Sequence, residues 1–207
     1  MRVAEGAERI VAENGYADRV RVIAKHSSDL DPAADIEGRA DLLVSETISN
    51  DIFGQDWVPA LEVARARLCT EDAGIIPGRA IARVALAHDA RLDRWRTGVV
   101  EGFDLRALNA VAPDRYQVRA ESERLTLRSE SGDLFDCDFA SGAPLPAATA
   151  SVELAAKGGP VNGVVQWIAL GLDEETWYEN RPGRESCWAL LFYPWREEAD
   201  LAAGTKV

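Results

Sequence analysis

Histidine is scarce: His26 and His88 are the only two in 207 residues. With so few imidazoles and no paired cysteines, no metal site is expected. The three cysteines, Cys69, Cys137 and Cys187, are odd in number, widely spaced and form no CxxC. They exclude a disulfide framework and read as reduced thiols of a cytoplasmic protein. No apolar run reaches the ~18 residues a membrane span needs. The opening, MRVAEGAERIVAENG, lacks the basic start and apolar centre of a signal peptide. Positive charge is also short. Lys and Arg number 23 against 35 Asp and Glu, a net charge of −12, and the basic residues do not cluster. Such a surface repels nucleic-acid phosphates and anionic lipid, and basic peptides are the matching macromolecular partners.

What is present is ordinary for a soluble globular chain: 47% hydrophobic and 28% charged residues, enough for one large domain or two small ones. Ala4, Ala7, Ile10 and Val11 recur at helical spacing, and Asn14-Gly15 supplies a left-handed stop. A short strand is expected at Val20, Val22 and Ile23, then a loop with Pro32 and Gly38. ADLLVSE, from Ala40 to Glu46, is a continuous apolar run ending in polar residues, the pattern of a parallel strand covered on both faces. Val58, Leu61, Ala64 and Leu68 mark a helix over Trp57 to Leu68. AGIIPGRA then turns into the strand IARVALA.

Near residue 80 the pattern changes to short strands with period-two alternation and frequent turns, an antiparallel all-β signature. GGPVNG reads as a link between two strands. The expected fold is α/β plus β: a partial Rossmann-like layer over residues 1–80, then an antiparallel β-barrel or sandwich over 81–207.

The series A..IV..NG..D.V.VI.KHS, ADLLVSE, the ARARL helix, AGIIPGRA and the β segment with GFDLRALN and ESCWALLFYP resembles the protein arginine methyltransferases, nearest to the bacterial and tandem-type members. The resemblance implies S-adenosylmethionine as cofactor, methyl transfer to a guanidinium nitrogen, an arginine-containing protein or peptide as substrate, and a homodimer assembled through GFDLRALNAVAPDRY. A guanidinium is a poor nucleophile, with delocalised charge and a pKa above ~12. Paired carboxylates hold it bidentately and concentrate its charge on one nitrogen.

By the same resemblance, Glu46 is the first clamp glutamate. A carboxylate just past a central strand lies at the rim of a cleft; by itself it reads as a solvated strand-end acid. The second clamp position holds Gln55, which accepts a hydrogen bond but brings no charge. Asp51 and Asp56 are nearby, and Asp56 takes the place of the second acid if the loop is shifted by one residue. The family's His-Trp pair is represented by Cys187-Trp188. Trp188 either stacks on the substrate guanidinium or packs in the barrel core. Cys187 lies at the substrate position by resemblance and, by residue type, reads as a small apolar packing residue. Ser27 and Ser28 would present a hydroxyl or amide to adenine; as bare sequence, KHSSDLD is a strand-to-loop turn.

The family's Gly-rich turn and ribose-binding acid should lie upstream of Ala7 and are not in this sequence. An N-terminally truncated methyltransferase, weak or inactive and binding S-adenosylmethionine poorly as this chain, is therefore expected. The alternative is a non-catalytic binding or dimerisation module derived from that family.

Overall fold

The computed structural model describes residues 2–54, 56–92, 96–143, 145 and 149–207. The chain divides into two compact units. One comprises Met1–Leu43 with Val58–Gly74, the other Val44–Trp57 with Ile75–Val207.

The first unit opens with α1 (Arg2–Glu13), which ends where expected, with Gly15 at φ +75°. The strand expected at Val20–Ile23 does not form. These residues belong to no strand, their backbone having no neighbouring strand to pair with among the described residues. A 3-10 turn at Ser27–Asp29 leads to α2 (Pro32–Asp35). Asp31 caps α2 by accepting from Ala33 N and Ala34 N, with proline at its first helical position. Asp35 is buried and bonded by Lys25 Nζ at 2.6 and 2.8 Å. The Asp31 amide, then Lys25, holds its carboxyl below the usual range. β1 (Ala40–Val44) pairs with β2 (Cys69–Ile76). The apolar run of β1 is not covered on both faces: Leu42 is exposed, and none of its five residues is buried.

α3 (Trp57–Leu68) matches its expected span. Leu61, Ala64 and Leu68 form its buried stripe. Arg39 donates to the carbonyls of Ala66 (3.2 Å) and Cys69 (2.8 Å), a cation satisfying orphan acceptors at the helix C-terminus.

The second unit is built on a seven-stranded antiparallel sheet with the path β6-β11-β9-β3-β7, β10 joining β9 and β8 joining β3. The strands are β3 (Arg79–Asp89), β6 (Tyr116–Val118), β7 (Leu125–Leu127), β8 (Gly132–Asp138), β9 (Gly159–Gly171), β10 (Trp177–Glu179) and β11 (Leu190–Leu201). The described strands form an open path rather than a closed barrel. A separate hairpin pairs β4 (Val99–Val100) with β5 (Phe103–Asp104), followed by a 3-10 turn at Arg106–Val111.

Simple alternation fails in the two central strands because both of their faces are covered. Ala85, Ala87, Val165, Trp167, Leu190 and Phe192 form one core cluster; Val84, Leu86, Val161, Leu154 and Ala156 form another. GGPVNG is not a linker, since β9 begins at Gly159. A Cβ on Gly163 would lie 2.5 Å from Tyr193 O and 2.6 Å from the Phe192 ring, so glycine there serves close strand approach. Arg83 on β3 bonds Asp133 and Glu179, each at 2.9 Å, and Trp167 Nε1 donates to Glu179 at 2.7 Å. Burial alone would raise the Glu179 carboxyl, but the Trp167 and Arg83 hydrogen bonds outweigh it and hold it below the usual range.

Candidate functional site

The segment from Val44 to Trp57 carries the leading candidate, and buried apolar side chains position it. Ile48 is 4% exposed, Ile52 1% and Trp57 2%. Trp57 meets Phe139 edge-on, with ring centroids 4.7 Å apart. Its indole Nε1 donates to Ser45 Oγ at 2.9 Å, while Ser45 N donates to Ile76 O at 2.8 Å. Ser45 is therefore held on both sides, and its neighbours Glu46 and Thr47 are turned to solvent.

Ser186–Ala189, just before β11, is fixed from within the sheet. Asn180 is fully buried; its side chain accepts from Ile168 N at 2.9 Å and donates to Ala189 O at 3.2 Å. Tyr178 Oη bonds Ser186 Oγ at 2.6 Å, and Ser186 Oγ accepts from Trp188 N at 3.0 Å. Trp188 is half-buried and meets Tyr178 edge-on at 5.3 Å. Asn50 Nδ2 reaches across to donate to Ala189 O at 3.0 Å, tying the two segments together.

Between them lies an open cleft of about 370 Å³, lined by Glu46, Asn50, Gln117, Cys187 and Trp188 among others. The structure thus brings three of the sequence-derived candidates, Glu46, Cys187 and Trp188, to one cavity. Among the described residues, no side chain pairs with the Glu46 carboxylate. Cys187 is exposed, whereas Cys69 and Cys137 are buried. The packing role suggested by residue type is filled by those two; Cys187 sits on a loop whose anchors are Ser186 and Asn180. Burial raises the Cys69 and Cys137 thiols above their ordinary range.

Asp51 and Asp56 have different surroundings. Asp51 Oδ2 accepts from Arg115 Nη1 at 2.7 Å, so its charge is already matched. Asp56 is an exposed residue at φ +54°, directly before α3, and is not among the residues lining the cleft. Gln55 lies outside the described residues.

Ser27 and Ser28 sit on the exposed 3-10 turn of the first unit. Ser28 N donates to His26 Nδ1 at 3.3 Å, and Ser28 Oγ bonds the same nitrogen at 2.8 Å. Arg67 donates to the carbonyls of Ser28 and Leu30. This turn offers a hydroxyl edge but no enclosure. The described residues of that unit include no buried polar side chain left without a partner that would mark a nucleoside or sulfonium cradle. The residues present do not by themselves fit the whole of S-adenosylmethionine.

Sequence reasoning missed Asn180, Arg115 and Tyr178. Arg115 acts on Asp51 in a segment far along the chain, and Tyr178 and Asn180 act on residues 8 to 12 positions away; helical and strand periodicity carries no signal for them. Another groove, of about 640 Å³, is lined by Arg79, Asp136, Asp138, Asp173, Glu174 and Trp177. Arg79 already binds Asp136 and lies over the Trp177 ring. No group of His, Cys, Asp and Glu among the described residues is arranged to hold a metal ion. No helix among them is long and apolar enough to cross a membrane.

No protein-family model matches the chain. It is 28% identical over 205 residues to an arginine N(omega)-methyltransferase of Streptomyces achromogenes subsp. streptozoticus, covering 98% of this chain and 57% of that protein. It is 27% identical over 219 residues to protein arginine N-methyltransferase 7 of Rattus norvegicus, covering 96% of this chain and 30% of that one. The chain thus spans little more than half of one relative and under a third of the other. Among solved structures, the Trypanosoma brucei PRMT1 enzyme-prozyme heterotetrameric complex with AdoHcy aligns at a TM-score of 0.84. That alignment covers all of this chain and 67% of the other, at 17% identity. The sequence likenesses bear out the resemblance to the protein arginine methyltransferases, and the structural likeness bears out the fold.

Proposed function

We propose that this chain forms the arginine-binding part of an S-adenosylmethionine-dependent arginine N-methyltransferase. The observation that carries the reading is the meeting of Glu46 and Trp188 in one cleft. A carboxylate accepts two guanidinium N–H groups side by side, and an indole face attracts the same planar cation. Asp51 is committed to Arg115, which leaves Glu46 as the acid available to an incoming cation. Gln55, at the second clamp position, would add a neutral acceptor. Asn50 and Gln117 line the same cleft with amides able to complete the hydrogen bonding.

The methyl donor would be S-adenosylmethionine, with Ser27 and Ser28 at its adenine edge. The described residues do not supply the rest of its cradle, so weak or absent methyl transfer by these residues alone is part of the proposal. The substrate is an arginine guanidinium, in a protein or a peptide; one relative's name specifies protein arginine and the other's arginine alone. A homodimer is proposed through the β4–β5 hairpin and the turn after it, where Phe103 is 71% and Val111 81% exposed. Reduced thiols are the reason for placing the protein in the cytoplasm.

Calorimetric titration of the chain with arginine and an arginine-containing peptide, each against its lysine counterpart, tests the reading. Arginine ligands should bind, lysine ligands should bind far less, and Glu46→Gln should abolish the preference. Equal binding of both, or a preference that survives Glu46→Gln, would refute it. Transfer of labelled methyl from S-adenosylmethionine separates the enzyme from the non-catalytic module: a chain that binds arginine but transfers nothing is the module.

A further inference from the structure

We propose that Arg115 makes the Glu46 cleft selective for a guanidino compound bearing a carboxylate at its far end, free arginine above all, over an arginine within a basic polypeptide. This rests on the reading of Glu46 as the guanidinium-binding acid.

A second cavity, of about 330 Å³, contains Arg115 and Asp51 and shares Ser49, Asn50 and Gln117 with the Glu46 cleft. The two cavities therefore abut along one loop and one strand. Arg115 is held firmly at its end. Its Nη1 donates to Asp51 Oδ2 at 2.7 Å and to Tyr193 Oη at 3.4 Å, and Tyr193 Oη donates in turn to Gln166 Oε1 at 3.2 Å. Both bonds made by Arg115 use a single nitrogen of the guanidinium, Nη1. Among the described residues Nε and Nη2 engage no partner, and the side chain is 44% exposed. The Asp51 pair thus fixes the fork without filling it.

An anchored guanidinium with open donors matches the planar geometry of a carboxylate. The two adjoining cavities offer an acid in one, Glu46, and a cationic fork in the other, Arg115. Free arginine presents the complementary pair, a guanidinium and a carboxylate. A residue inside a polypeptide has a neutral backbone in place of that carboxylate. If its neighbours are basic, they bring like charge towards Arg115.

The test is titration of the full chain with arginine, with argininamide, in which the carboxylate is neutralised, and with an end-blocked peptide holding one internal arginine. Arginine should bind about tenfold or more tightly than either of the others. Arg115→Gln should reduce arginine to the argininamide level, and Arg115→Lys should restore part of the difference. If Arg115→Gln does not fold, the wild-type comparison of arginine with argininamide decides alone. Equal binding of those two, both lost in Glu46→Gln, would overturn the role of Arg115 and leave the cleft reading intact. No binding of any of them, or binding indifferent to Glu46→Gln, would overturn both.

Discussion

Trp57 is the most sensitive packing position behind the cleft. Its side chain is 2% exposed, packs edge-on against Phe139 and donates to Ser45 Oγ. A buried tryptophan removes roughly 150–250 Å² from water. At ~25 cal/mol per Å² that is about 4–6 kcal/mol of burial. Truncation to alanine should realise most of it, on the order of 3–5 kcal/mol. Trp57→Phe keeps most of the apolar contact and removes the indole N–H. Ser45 Oγ still has Thr47 Oγ1 at 3.1 Å, so it is not stranded. The loss should stay near ~1 kcal/mol for the hydrogen bond, plus a smaller packing penalty. Urea unfolding of the three proteins measures both steps. With a slope of about 2–3 kcal/mol per M, Trp57→Ala should lower the midpoint by roughly 1–2 M and Trp57→Phe by about half a molar or less. Arginine affinity should fall with Trp57→Ala, because the strand end bearing Glu46 loses its support. Equal midpoints for the alanine and phenylalanine variants, or a cost below about 1 kcal/mol for alanine, would refute this account of the anchor.

Three further outcomes are expected. Asn180→Ala removes the acceptor for Ile168 N and a donor to Ala189 O; it should cost about 2–4 kcal/mol in thermal or denaturant unfolding and weaken arginine binding. Under native conditions iodoacetamide should modify Cys187 alone, since Cys69 and Cys137 are buried, and arginine should slow the reaction because Cys187 lines the cleft; mass spectrometry reads both effects. Burial raises the Asp89 carboxyl, so the native state holds its proton more tightly than the unfolded chain. The associated stability is present below the unfolded pKa of ~3.9 and is lost as pH rises through the folded value. Asp89→Asn keeps the acceptor for Arg91 N and should raise the melting temperature at pH 7 more than at pH 4; an equal change at both would contradict the assignment.

The legible parts of the fold were those set by local chemistry. α1 ended at Asn14-Gly15 and α3 spanned Trp57–Leu68 because cap residues and helical spacing act within a few residues. Val20–Ile23 had the composition of a strand, but a strand needs a ladder partner, which composition does not report. GGPVNG looked like a link because glycine and proline usually break strands; here Gly163 makes room for Phe192 and the Tyr193 carbonyl across the ladder. At the site, Glu46, Cys187 and Trp188 were identified from the family resemblance, and the fold lines one cleft with them. The members that hold them there, Asn180, Tyr178 and Ser186, act on side chains and backbone 2 to 12 residues away, and the Asp51–Arg115 pair joins distant segments. No single-sequence spacing encodes those contacts.

Where a guanidinium binds decides between a Glu46 cleft and any other arginine site. A crystal structure of this chain with arginine provides that measurement. The guanidinium should lie on the Glu46 carboxylate, with its plane against Trp188, in the cleft shared with Asn50 and Gln117. Arginine seated instead in the groove of Asp136, Asp138 and Trp177, with the Glu46 cleft holding only solvent, would contradict it.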